Sequence, residues 1–212
     1  MNNSDKFNCK PFARGQRVSW LVLLLILLLG STGAGYAAIP TAQPPPIVVN
    51  IFQDTKQNDG FCSLREAIIA ANSDKPSGSK RGECVPSRGA DTILLPAGVY
   101  VLTRTDNGNE DAAQTGDLDI RGDVAILPDP KNPGPVIIDA SRITDRVFHI
   151  FSGNVTITDV TLLGGAVTGD VGSIYNLTSL SLKRTTVKDG RAGNNGGGIY
   201  NRDALTIIES TV

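Results

Sequence analysis

Two hydrophobic periods divide the chain. In "FCSLREAIIAAN" (residues 61–72), Leu64, Ala67, Ile68 and Ala71 fall at i, i+3, i+4 and i+7, one apolar stripe of a helix. Ser63, with Glu66 three residues later, forms a capping box in which each side chain satisfies a backbone N–H of the first turn. From residue 91 the period shortens to two. "DTILLPAGVYVLT" (91–103), "GDLDIRGDVAIL" (116–127) and "GPVIIDASRITDRVFHI" (134–150) each read as a pair of short strands around a turn. Between them "RTDNGNEDAAQTGD" (104–117) reads as a mobile polar excursion.

The strand-like part repeats. Stepping back 25 residues from "IYNRDALTIIESTV" (199–212) gives "IYNLTSLSLKRTTV" (174–187), and another such step gives "HIFSGNVTITDVTL" (149–162). In this register Val155, Leu180 and Leu205 share a column, as do Ile157, Leu182 and Ile207. Asp159, Arg184 and Glu209 make a column of alternating charge, and Asn176 lies over Asn201. So short a unit, with no room for a helix, cannot bury its own apolar face, and neighbours must stack. An all-β parallel β-helix is the predicted fold. The helix at 61–72 is then expected as a lid on its first coil, blocking unpaired strand edges.

Upstream, Lys6, Lys10, Arg14 and Arg17 precede the apolar run "WLVLLLILLL" (20–29) and the small residues "GSTGAGYAA". This reads as a secretory signal peptide over 1–37, cleaved after Ala37, with an uncleaved anchor as the other reading. Residues 38–46 are a Pro-rich linker, 47–103 a cap and first coil, and 104–212 the repeats, clearest over 149–212. Export favours a disulfide between Cys62 and Cys84; the other reading is two free or metal-binding thiols. At 212 residues, net charge −1 and 5% aromatics, the chain has the length of one domain and no charge field for nucleic acid.

"CSLREAIIAAN", Cys84 and "ADTILLPAGVYVLT" together resemble the N-terminal CSLREA domain of secreted bacterial right-handed β-helix proteins. The "GGGIYN…LTIIESTV" copies are similar to the repeats of those proteins and of polymorphic outer-membrane proteins. The resemblance spans about residues 47–212. It implies export, a right-handed parallel β-helix with a short N-terminal helical cap, and no defined reaction. It also implies further repeats, so the break in mid-strand at Val212 reads as a truncation. A C-terminal continuation or a partner is expected to cover the last coil.

Chemistry has few candidates. Asp117, Asp119, Asp123, Asp139, Arg142, Asp145 and Asp170 are the groups that carbohydrate-active β-helices would use. Asp117 and Asp119, two apart on a strand, face one side. Asp145, Asp170 and Asn195 share a column in the 25-residue register and are Ca²⁺ candidates, although Asp beside Gly is ordinary turn chemistry. His149, the one histidine, lies in "RVFHIF" and reads as structural. Arg65 reads as solvated. No catalytic residue and no cofactor is assigned, and no membrane span is expected in the mature chain. The expected function is a secreted or cell-surface structural and binding module for adhesion, contacting extracellular glycans or surface proteins. The rival is a carbohydrate-active enzyme, a polysaccharide lyase or pectin-type hydrolase, on the same scaffold.

Overall fold

The computed structural model describes residues 44–105, 110–169 and 171–212. The leader 1–37 and most of the linker lie outside them. In chain order the elements begin with β1 (Ile47–Val48), α1 (Leu64–Ser73), β2 (Asp91–Leu95), β3 (Gly98–Val101), β4 (Leu118–Arg121) and β5 (Val124–Pro128). Next come β6 (Val136–Asp139), β7 (Phe148–Ser152), β8 (Asn154–Thr158), β9 (Thr161–Leu163), β10 (Ala166–Val167) and β11 (Ile174–Asn176). The series ends with β12 (Ser179–Lys183), β13 (Thr186–Lys188), β14 (Arg191–Ala192), β15 (Ile199–Asn201) and β16 (Leu205–Ile208).

These strands form three main sheets, and the chain visits them in rotation. The first runs β1-β2-β5-β8-β12-β16, the second β3-β6-β9-β13 and the third β4-β7-β11-β15, with β10 and β14 as a small fourth pair. Every pairing among the described residues is parallel. The protein is therefore an all-β parallel structure with one short helix.

Alternation along each strand turns one face inward. In the first sheet Ile47, Ile93, Ile126, Ile157, Leu182 and Ile207 pair in one continuous column. Ile93, Ile126, Ile157 and Leu182 have no exposed surface, and each fully buried aliphatic side chain contributes roughly 1.5–3 kcal/mol. The expected columns of Val155, Leu180 and Leu205 and of Ile157, Leu182 and Ile207 are present. Ile207, however, is 47% exposed on the last strand. Asp159, Arg184 and Glu209 stack at the corner between the first and second sheets, all with positive φ (55°, 46° and 49°). Arg184 donates from Nε and Nη2 to Asp159, both at 2.7 Å. Inside the third sheet Asn176 Nδ2 donates to Asn201 Oδ1 at 2.6 Å, and to the carbonyls of Thr178 and Ala204.

One part of the 25-residue register shifts. His149 pairs with Tyr175, not Ile174, a step of 26 residues, while Val155 pairs with Leu180. A bulge at Phe151, between the pairs Ile120–Ile150 and Arg121–Ser152, absorbs part of the irregularity of this strand.

The cap is built as the sequence pattern requires, with one difference. Ser63 and Glu66 form the capping box, and Leu64, Ala67, Ile68 and Ala71 are buried. Cys62 and Cys84 are disulfide-bonded, with Cα atoms 4.9 Å apart. Arg65, expected in solvent, is instead wholly buried and ion-paired to Asp54 at 2.6 Å. Its two Nη atoms donate to the carbonyls of Ala113, Asp117 and Gly116. The reason is topological: a helix lying against the first circuit turns one flank toward the 110–117 loop, whose carbonyls need donors. That loop is correspondingly anchored over 110–117. Glu110 accepts the N–H groups of Ala112, Gln114 and Thr115, and Ala113 is fully buried.

α1 also closes the open edge of the third sheet. Asn72 Nδ2 donates to the Asp119 carbonyl at 2.7 Å, and Asn72 Oδ1 accepts the Arg121 N–H at 2.8 Å. The side-chain amide thus takes the place of a missing strand beside β4.

Candidate functional site

Outward positions of the third sheet line up across four strands as Asp119, His149, Tyr175 and Tyr200. The strand spacing of about 4.8 Å brings column mates into ring contact. His149 stacks on Tyr175 with centroids 4.8 Å apart and planes 12° off parallel, and Tyr175 meets Tyr200 edge-on at 5.5 Å. Phe151, two residues along β7, lies against His149 at 3.6 Å. Arginines frame the column. Arg121 sits 4.0 Å over Phe151, Arg146 5.5 Å from Tyr175, and Arg202 donates to the Tyr175 hydroxyl at 3.4 Å. Such contacts combine cation–π attraction with packing of the guanidinium plane.

At the helix end the column becomes acidic. Asp117 and Asp119 are 1% and 0% exposed. Asp119 Oδ2 accepts the Ala113 N–H at 2.6 Å, while Oδ1 has no hydrogen-bond partner and lies 3.8 Å from His149 Nδ1. Asp111 Oδ1 is 4.0 Å from the same nitrogen. Arg146 Nη1 bridges Asp117 at 3.1 Å and Asp145 at 3.3 Å. Burial, with Asp145 and Asp119 adding to it, pushes the Asp117 carboxyl up to about 8 against the pull of Arg146. Burial also raises Asp119 to about 7; the Ala113 N–H opposes this, and Glu110 and Asp111 add to it. Burial, then Arg146 and Arg121, lowers His149 to about 4, so its imidazole is neutral near pH 7.

The sequence candidates separate into two groups. Asp123 accepts the backbone and side-chain N–H groups of Asn154, and Asp139 accepts the Ser141 N–H, both as turn and loop ties. Arg142 is exposed. Asp117, Asp119, Asp145 and His149 are brought together. In the calcium column, the Asp145 carboxylate takes the Asp117 N–H, the Arg146 N–H and the Arg146 guanidinium. The Asn195 carbonyl accepts from Val171, and Asp170 lies outside the described residues. Asp111, Arg121, Arg146 and the Tyr175–Tyr200 pair were missed as site residues. The two tyrosines were visible as a repeat column, but the 26-residue step that seats His149 beneath them was not.

No family model, curated protein or solved structure matches the chain.

Proposed function

We propose that this chain forms a right-handed parallel β-helix displayed outside the cell, and that it acts as a binding module contacting glycans. The rotation of the chain through three parallel sheets supports the β-helix. A basic, apolar and small-residue leader, with a disulfide that persists in oxidising compartments, supports export. The observation that carries the binding role is the outward column of Tyr175 and Tyr200 with Arg146 and Arg202 beside it. Partly exposed aromatic faces take the apolar faces of sugar rings, and guanidinium groups take hydroxyls and carboxylates.

The enzyme reading draws on the raised carboxyls of Asp117 and Asp119. Both side chains are buried, Asp119 against the Ala113 N–H and Asp117 against Arg146, so neither is presented to a glycosidic oxygen in solvent and binding is favoured over catalysis. Titration of the chain against a panel of acidic and neutral oligosaccharides tests the proposal. Tyr175→Ala with Tyr200→Ala should weaken the best ligand about tenfold, roughly 1.4 kcal/mol. Binding indifferent to both substitutions would place the contact elsewhere.

A further inference from the structure

We propose that Asp111, Asp119 and His149 form a binding site for a divalent transition-metal ion of the zinc class. The three side chains present lone pairs to one point, with their ligand atoms all within 4.8 Å of one another. Asp119 is wholly buried, and its Oδ1, aimed at this point, has no hydrogen-bond partner. An unsatisfied buried carboxylate oxygen is costly, so a positive group is expected there. His149 does not supply a hydrogen bond: its Nδ1 stands 3.8 Å and 4.0 Å from the two carboxylates, too long for one. The three ligand atoms, all within 4.8 Å of one another, lie near enough for one ion to draw them together through a small movement of the half-exposed Asp111 side chain.

The donor set selects the ion. One imidazole nitrogen with two carboxylates suits Zn²⁺ and its first-row neighbours, whereas Ca²⁺ and Mg²⁺ favour all-oxygen shells. Glu110 and Asp111 stand close to the Asp119 carboxyl against the Arg121 guanidinium, so the charge around it is negative on balance. The ligands are also oriented from behind. The Ala113 N–H fixes the Asp119 carboxylate, and His149 is held between Phe151 and Tyr175. Asp119 and His149 are cross-strand partners on β4 and β7, hence rigid. Asp111 comes from the loop, with its carbonyl held by Arg121 at 2.9 and 2.6 Å. Its side chain is 54% exposed, which leaves an entry path and room for solvent in the remaining coordination positions. A bound ion would thus pin the 110–117 loop onto β7 at the head of the aromatic column.

The experiment is calorimetric titration of ZnCl₂ into untagged, chelator-treated protein, repeated with Asp111→Asn and Asp119→Asn. Asp111→Asn alters an exposed side chain and should leave the fold intact, so its result stands even if Asp119→Asn fails to fold. A single saturable site, weakened at least about tenfold in Asp111→Asn, is the expected result. Co²⁺ absorption bands from a nitrogen-containing shell, lost in the same variant, would agree with it. Absence of saturable binding, Zn²⁺ binding unchanged in Asp111→Asn, or displacement of Zn²⁺ by equimolar Ca²⁺ would each overturn the assignment. None of these readouts depends on whether the chain binds glycans.

Discussion

Arg65 and Asp54 show how a single pair of side chains joins the cap to the rest of the protein. The guanidinium is fully buried and spends its donors on one carboxylate and three carbonyls, while Asp54 Oδ2 also accepts the N–H groups of Thr103 and Arg104 just after β3. Burial acts to raise the Asp54 carboxyl, but Arg65 and the two backbone donors outweigh it and hold it below the usual value of 3.8. Removing one partner of a buried pair leaves an uncompensated charge, so Asp54→Asn should destabilise the protein by about 3–5 kcal/mol. The sign of the pH dependence follows from the lowered folded value. The contribution is present above the unfolded value of 3.8 and is lost as pH falls through the folded one. Urea melts across pH 7 to 2 should therefore show the wild-type advantage shrinking at the acid end. An advantage that is constant with pH would mean that the carboxylate's charge is not what Arg65 needs.

Within the strands and the helix, position along the stack decides what a substitution does. Leu182 and Ile207 share a column, yet one has no exposed surface and the other is half open. Leu182→Asp buries an unpaired charge at a cost of several kcal/mol and should abolish cooperative unfolding. Ile207→Asp should shift the thermal midpoint only slightly. Equal effects in a side-by-side melt would be incompatible with the observed packing. At the other end, Asn72→Ala removes both bonds to the edge of β4 and should cost about 1–3 kcal/mol. Hydrogen exchange at the Arg121 amide should accelerate more than exchange at Leu182; unchanged protection would show that the side-chain amide is not the edge cover.

This contrast also explains what was legible in advance. The columns of Val155, Leu180 and Leu205 and the Asn176–Asn201 ladder follow from period and spacing alone, because a parallel stack converts sequence distance directly into contact. The capping box is equally local. Arg65 and the Asp111–Asp119–His149 cluster were not readable, because their partners come from a loop and from strands about 30 to 50 residues away whose repeat length is irregular. A one-residue change in step, His149 to Tyr175, moves a side chain onto the opposite face of its alignment.

Taken whole, the described residues belong to one packing unit, Ala42–Val212, and α1 shares a continuous core with the strands. Arg65 and Asn72 add polar ties from the helix to the 113–117 loop and to β4. The Cys62–Cys84 bond lies within the cap, closing a separation of 22 residues, with both sulfurs buried. Its loop is independently held, since Glu83 accepts from Gly60 N–H and the Ser77 hydroxyl. The folded state therefore changes little on reduction, and the loss arises chiefly from the freer unfolded chain, about 3 kcal/mol. Two outcomes are physically distinct. If the cap were a separate unit, reduction would split off an early transition belonging to α1 while the strands melted as before. Because the ties from α1 reach both the loop and the sheet edge, the cap should instead unfold with the strands. Calorimetry with and without reductant should then show one transition displaced downward by roughly 6–12 °C for a unit of this size. Coincident melts would mean that the bond does not constrain the unfolded chain, and a new early peak would mean that Arg65 and Asn72 do not couple the helix to the stack.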